Sequence, residues 1–161
     1  MKLDRLDARI LDELQQDGRR AVVDLAAQIG LSATPCNRRI RNMETEGVIE
    51  GYSVLVNPGK VGLRALAFIQ VKLERHSDEN VAAFERAIRD LDEVMNCFAT
   101  TGSHDFLLQV VASDLEALSN VVLKKLLKIP GVRDLHSSIV LGTIKRSVRL
   151  PLRHLGQRHL F

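Results

Sequence analysis

The sequence of 161 residues is long enough for one domain or two small ones, and its 45% apolar content is sufficient for packed cores. Its aromatic content of 4%, without any Trp, argues against the base-stacking surfaces that hold single-stranded nucleic acid. The net charge of +3 permits an anionic partner. It is unevenly distributed, since residues 1–56 carry eight Lys and Arg against nine Asp and Glu, whereas residues 57–161 carry fifteen against eleven.

The cysteines and histidines show no ligand or disulfide pattern. Cys36 and Cys97 are the only cysteines, and they lie too far apart for a disulfide framework or a zinc cluster. The histidines are scattered, so we expect no metal or other cofactor. No run of about 18 apolar residues occurs, and the first residues lack the apolar segment of a signal peptide. We therefore expect a cytoplasmic protein without a membrane partner.

Three helical patterns occupy the first 47 residues. Asp4 is a suitable N-cap for the first pattern, which closes at Gly18. The second is eight residues long and stops at Gly30, and the third begins near Ser32 and ends at Gly47. The short connection between the second and third patterns is typical of a helix-turn-helix. The apolar stripe of the third helix is predicted at Cys36, Ile40 and Met43.

The outward face of the third predicted helix is polar and basic. With the apolar stripe turned inward, steps of about 100° per residue leave no carboxylate on this face before Glu44. Arg can pair with guanine or phosphate, Asn can pair with adenine, and a helix N-terminus accommodates a phosphate oxygen. A plain solvated face is the alternative, but the preceding helix and turn favour DNA. The predicted DNA-binding residues are Ser32, Thr34, Asn37, Arg38, Arg41 and Asn42.

Three other arginines of this region have open roles. Arg39 lies near the edge of the buried stripe and is expected to contact either backbone phosphate or nearby Glu residues. Arg19 and Arg20, between the first two helices, are either phosphate contacts or ordinary loop charges.

After Gly47 the apolar period changes from about 3.6 towards 2. The stretch VIEGYSVLVNP predicts a short β-ribbon that ends in a turn at Pro58 and Gly59. This change marks a domain boundary. We predict a helix-turn-helix domain with its ribbon linker at residues 1–58, and a second domain at residues 59–161.

Strand and helix patterns alternate in the second domain. A capping box of Ser113 and Glu116 opens the second of two predicted helices, and the first covers residues 78–91. The order βαββαβ predicts a ferredoxin-like α+β fold, in which both helices cover one face of a four-stranded antiparallel sheet. The other face would remain open and apolar, and the same face of a second copy is its expected partner. The predicted strands are residues 65–73, 94–101, 106–112 and 134–144.

Four stretches of this chain together resemble a known family: LDRLDARILDELQQDGR, LAAQIGLSATPCNRRIRNMETEGVIEGYSVLVNP, TGSHDFLLQVV and PGV. They are similar to the Lrp/AsnC, or feast/famine, regulators of bacteria and archaea, and the resemblance covers residues 3 to about 150. It implies an N-terminal winged helix-turn-helix and a C-terminal βαββαβ (RAM-type) domain for oligomerisation and effector binding. It also implies homodimers that associate through their sheets and further into tetramers or octamers.

The loop GSHD joins two central strands and has two interpretations. In the structural one, Gly102 supplies unusual backbone torsions and Asp105 caps neighbouring N–H groups. In the other, backbone N–H groups receive the carboxylate of a free amino acid, and Asp105 receives its ammonium. The resemblance favours the second interpretation, because this loop lines the effector pocket in the family.

The resemblance extends the predicted effector site beyond the loop residues Gly102, Ser103, His104 and Asp105. His104 and Ser138 depart from the aromatic residues that are frequent in the family, which leaves the effector's identity open. The apolar part of the lining favours an aliphatic side chain such as that of leucine or methionine. The further predicted residues are Ala99, Thr100, Thr101, Leu115, Ser137, Ser138, Ile139 and Val140.

The sequence therefore predicts a regulator that binds double-stranded DNA and whose oligomeric assembly responds to a small amino acid effector. A ligand-independent architectural DNA-packing protein is one alternative, and a small-molecule-binding protein with a vestigial DNA module is another. An enzyme is not expected, because Ser103, His104 and Asp105 should point to alternating sides of an extended loop and form no catalytic relay. The basic tail at residues 145–161 is expected to pack on a neighbouring subunit or to contact DNA.

Overall fold

The computed structural model describes residues 2–75 and 77–155, without the side chain of Val121. The chain forms two compact units. The described residues of the first unit are 2–55 together with the tail 145–155, and the second unit is Val56–Ile144. The tail therefore groups with the N-terminal helices, whereas the sequence pattern placed it in a second domain of residues 59–161. No helix of the described residues is both long and apolar enough to span a membrane.

The first unit contains α1 (Arg5–Gln16), α2 (Val22–Ile29) and α3 (Ala33–Thr45). The predicted N-cap of α1 is confirmed: the Asp4 carboxylate accepts the backbone N–H of Asp7, and the Asp7 carboxylate accepts the N–H of Asp4. Helix α2 ends at Gly30, whose φ of 78° allows the sharp turn into α3. The predicted stripe of Cys36, Ile40 and Met43 is buried.

One buried carboxylate connects α1 to α3. Asp7 is 2% exposed. Among the charged residues that the structure describes, it is the one that is buried. Nη1 of Arg39 lies 2.8 Å from Asp7 Oδ1 and 2.8 Å from Asp4 Oδ2. These hydrogen bonds, chiefly the one to Asp7, raise the pKa of Arg39. The role of Arg39, which the sequence left open, is thus structural. Its partners are aspartates and not the expected glutamates.

We predict that Arg39→Ala lowers the free energy of unfolding of the first unit by about 2 to 3 kcal/mol, because it leaves a buried carboxylate without its cation. Urea unfolding can be followed by the fluorescence of Tyr52, since the chain has one Tyr and no Trp. The neighbouring exposed Arg38 is the control, and Arg38→Ala should change stability by less than about 0.5 kcal/mol. Equal losses in both variants would contradict the structural role of Arg39.

The predicted β-ribbon is wrong, because residues 48–57 form no strand. The segment is instead attached to the first unit by Tyr52. Its hydroxyl donates to Glu44 Oε1 at 2.9 Å, and its ring lies against Gly18, where an added Cβ would come within 3.2 Å of the ring. Partial burial, followed by the hydrogen bond to Glu44 and that residue's negative charge, raises the pKa of Tyr52 to about 12.

A folded-state pKa above the unfolded value of about 10 means that Tyr52 stabilises the fold fully below pH 10. This contribution is lost as the pH rises through about 12. We predict that tyrosinate absorbance titrates near pH 12 in the native protein and near pH 10 in urea. Glu44→Gln should shift the native midpoint down, since it removes the negative charge. A native midpoint near pH 10 in the unmodified protein would contradict the contact.

The second unit begins with a 3-10 helix at Pro58–Val61 and confirms the predicted order βαββαβ. The elements are β1 (Ala65–Leu73), α4 (Asp78–Arg89), β2 (Val94–Ala99), β3 (Phe106–Ala112), α5 (residues 115–127) and β4 (Val132–Ile139). The strands pair antiparallel in the order β2-β3-β1-β4. Strands β1 and β3 have the predicted bounds, whereas β2 and β4 end earlier than predicted.

Helix α5 consists of three consecutive segments, Leu115–Ala117, Leu118–Leu123 and Lys124–Leu127, and the middle one has π-helical hydrogen bonding. The prediction of Ser113 as the N-cap of this helix is wrong by one position. Asp114 is the N-cap, and its Oδ1 accepts the N–H of Ala117 at 2.7 Å. The Ser113 hydroxyl donates to the Asp114 carboxylate instead.

The sheet has one face packed on the helices and one open face. Alternate residues of β1 and β3 are buried with α4 and α5, and the rings of Phe84 and Phe106 stack with centroids 4.5 Å apart. The intervening residues occupy the open face, where Phe68 is 37% exposed and Phe98 is 51% exposed. The predicted open face is confirmed. On this face the Asn96 side chain donates to Gln109 Oε1 at 2.8 Å.

Candidate functional site

The outer face of α3 presents most of the predicted DNA-binding residues to solvent. Asn37 is half-buried, and the other five are exposed. Ser32 holds the N-cap position but makes no side-chain capping hydrogen bond. The first turn of α3 also contains no acidic residue, so its positive end is not neutralised from within. The exposed residues are Ser32, Thr34, Arg38, Arg41 and Asn42.

The arginines between α1 and α2 differ in their surroundings. Arg20 forms an ion pair with Glu13 and donates to Gln28 Oε1 at 2.6 Å, and Gln28 in turn donates to Glu13. This network ties α1 to α2, which assigns Arg20 a structural role. Arg19 is exposed, and its backbone N–H donates to Asp17.

In the GSHD loop, the structural interpretation accounts for Gly102 and Asp105. Gly102 has a φ of 116°, in the region that favours glycine. The Asp105 carboxylate accepts the N–H of Leu73 at 2.8 Å and lies 3.8 Å from Lys72 Nζ. These contacts direct the carboxylate towards β1. Asp105 thereby holds the loop against the neighbouring strand.

A cavity of about 220 Å³ lies beside this loop, and we call it the loop cavity. Four predicted effector residues line it, namely Thr100, Thr101, Ser103 and His104. Sequence reasoning missed the two remaining lining residues, Gln70 and Leu107, which are cross-strand partners in β1 and β3. Both residues lie on the open face of the sheet. The alternation of buried and exposed side chains could have identified them only if the register between β1 and β3 had been known.

The Ser103 hydroxyl and His104 Nδ1 are 2.9 Å apart. This contact joins two of the three side chains that were expected to point to alternating sides of the loop. The Asp105 carboxylate accepts the N–H of Leu73 and lies 3.8 Å from Lys72 Nζ, so these contacts lie on the side of β1.

A second cavity, of about 580 Å³, contains the predicted residues Leu115, Ile139 and Val140. We call it the strand-end cavity, since it also includes Ala65 at the start of β1. Arg64 and several apolar residues contribute to its lining. Asp114 is also part of its lining, and its carboxylate caps α5. The hydrogen bond from the Ala117 N–H is the main cause of the lowered pKa of Asp114. The other lining residues are Gly62, Ser113 and Leu141.

The two cavities lie at opposite ends of β1. Ala65 pairs with Ala112 at one end, whereas Val71 pairs with Phe106 next to the GSHD loop at the other. The two positions are six residues apart along β1, which corresponds to about 20 Å. One chain therefore does not bring all the predicted effector residues together. Five of them line neither cavity, and four of these are Gly102 and Asp105 in the loop and Ser137 and Ser138 opposite the middle of β1.

Ala99, the remaining predicted effector residue, also lies outside both linings. It ends β2 opposite Phe106 and is exposed.

Both units match known domain families. Residues 3–44 match the AsnC-type helix-turn-helix domain, and residues 66–150 match the Lrp/AsnC ligand binding domain. The chain belongs to the Lrp/AsnC family. This Lrp/AsnC protein is 37% identical over 151 residues to the leucine-responsive regulatory protein of Escherichia coli strain K12, which covers 94% of this chain and 92% of the relative.

Solved structures of similar regulators have the same fold. A transcriptional regulator from Neisseria meningitidis in complex with L-methionine matches with a TM-score of 0.91 and 40% identity, over 95% of this chain and 99% of the other. A feast or famine regulatory protein from M. tuberculosis complexed with L-methionine matches with a TM-score of 0.81 and 31% identity, over 93% and 99%. The protein is thus a DNA-binding regulator with a ligand-binding domain, and its relatives are regulators, not enzymes.

Proposed function

We propose that this Lrp/AsnC regulator reads operator DNA with the outer face of α3 and that a small aliphatic amino acid changes its subunit assembly. The first part of this proposal rests on a difference in surroundings among the arginines of α3. Arg39 is turned inward to Asp4 and Asp7, whereas Arg38 and Arg41 are exposed. A face without a carboxylate therefore remains for base edges and phosphates.

The open sheet face supports an assembly of copies. Its exposed aromatic side chains, Phe68 and Phe98, would be shielded from water by the same face of a second subunit. The loop cavity shares Gln70 and Leu107 with this face. A ligand in the loop cavity would consequently lie beside such an interface and could favour one arrangement of subunits over another.

The separation of the two cavities also supports a ligand site formed by more than one subunit. The loop cavity supplies hydroxyl, imidazole and amide groups, and the strand-end cavity supplies the apolar surfaces of Leu115 and Ile139. An amino acid needs both kinds of surface, and two chains can supply them at one point. Methionine is our first candidate, because two similar regulators were solved with L-methionine.

For the DNA-reading face, we predict that Arg41→Ala weakens operator binding by about 1 to 3 kcal/mol and reduces the preference for operator over unrelated duplex. Fluorescence anisotropy with labelled duplexes measures both quantities. Arg86→Ala removes an exposed arginine from α4 in the second unit and is the matched control. If Arg41→Ala and the control bind operator equally well, α3 does not read DNA with this face.

For the effector site, we predict that L-methionine raises the melting temperature, because a ligand that binds only the folded state stabilises it by about 2.7 kcal/mol at a hundredfold excess over Kd. Thr101→Val removes a hydroxyl group from the loop cavity and should reduce this shift. Thr143→Val, at an exposed position outside both cavities, is the control.

The response of DNA binding completes this test. Operator footprints should change in extent or spacing when L-methionine is added, because the ligand alters which recognition helices are available together. Even protection that no amino acid changes would instead favour the architectural DNA-packing alternative.

A further inference from the structure

The tail, residues 145–155, is part of the first unit, and the side-chain amide of Gln15 attaches it to α1. The N–H of Leu150 donates to Gln15 Oε1 at 2.6 Å, and Gln15 Nε2 donates to the carbonyl oxygen of Leu150 at 3.2 Å. One side chain thus satisfies both backbone groups of one residue, as a neighbouring β-strand would. This pairing fixes the position of the tail along α1.

An apolar contact supports the same attachment. Leu152 is partly buried and packs against the core of α1, α2 and α3. The chain then turns, with the N–H of Leu155 donating to the carbonyl oxygen of Leu152 at 2.9 Å. The tail is therefore a packed part of the unit that carries the recognition helix.

The tail reverses the net charge of this unit. Residues 2–55 contain eight Lys and Arg against nine Asp and Glu, which leaves one negative charge in excess. Residues 145–155 add four basic residues and no acidic one, so the described unit has a net charge of +3. Arg149 and Arg153 are both exposed, and they flank the anchored stretch of Leu150 to Leu152.

We propose that the docked tail is a second DNA-contacting surface, in which Arg149 and Arg153 bind backbone phosphates of duplex DNA. A guanidinium group pairs well with a phosphate and reads no sequence in doing so. Duplex DNA is the partner that the geometry favours, since the tail is docked on the unit that contains α3. The inference rests on the DNA-reading role proposed for α3, to which it adds a sequence-independent contribution to affinity.

The test is a salt titration of binding to an operator duplex and to an unrelated duplex of equal length. Each lost phosphate contact should reduce the slope of log K against log salt concentration by about 0.9. We expect R149Q/R153Q to reduce the slope by about 1.8 on both duplexes, with an unchanged ratio of operator to unrelated affinity. R86Q/R89Q removes the same charge from exposed positions of α4 and should leave the slope unchanged.

A variant of the attachment provides an independent measurement. Gln15→Leu removes both hydrogen bonds to Leu150 while keeping a side chain of similar size. We expect faster trypsin cleavage after Arg149 and a salt slope shifted in the same direction as in R149Q/R153Q. Circular dichroism of each variant should match that of the unmodified protein.

An unchanged slope in R149Q/R153Q would overturn the proposal, and so would an equal reduction in R86Q/R89Q, which would indicate only long-range charge. A smaller oligomer in R149Q/R153Q with an unchanged slope would assign the tail to subunit contacts instead. Failure of the α3 proposal gives a different result. It would be seen as an unchanged operator preference in Arg41→Ala, whereas failure of the tail proposal would be seen as an unchanged salt slope in R149Q/R153Q.

Discussion

The burial of the Asp7 carboxylate is the constraint on which the DNA-binding unit depends. A carboxylate that is 2% exposed needs a cation and hydrogen bonds, and Arg39 of α3 supplies the cation. The same guanidinium holds Asp4, whose carboxylate caps α1. The start of α1 and the middle of α3 are therefore connected by one side chain. Any loosening of this contact would alter the direction in which α3 presents its outer face.

Some arginines of this unit have carboxylate partners, and others are exposed. Arg39 and Arg20 pair with aspartate and glutamate and hold helices together. Arg38 and Arg41 are exposed on α3, and Arg149 is exposed on the tail. The net charge gives no sign of the exposed arginines, because the unit without its tail has more acidic than basic residues. The placement of each charge, and not the total, determines whether this surface suits DNA.

The antiparallel sheet imposes a similar constraint on the second unit. Because β1 and β3 run in opposite directions, the GSHD loop and the strand-end cavity lie at opposite ends of the same pair of strands. Residues that form one effector site by family resemblance are thus separated within a chain. In the function proposed above, a site that needs both ends requires more than one copy, and this requirement would link ligand binding to assembly.

The sequence alone determined the local elements, because their apolar periods record which side of each helix or strand is buried. It was sufficient for the three N-terminal helices, the Asp4 cap, the order of elements βαββαβ and the open sheet face. It did not separate Ser113 from Asp114 as a cap, since both carry an acceptor and only the backbone geometry selects one. The alternation in residues 48–57 likewise suggested a ribbon, but a strand needs a partner within hydrogen-bonding reach. The partners of Arg39, the split effector residues and the docking of the tail were decided by the tertiary structure, because each depends on distances between segments that are remote in the chain.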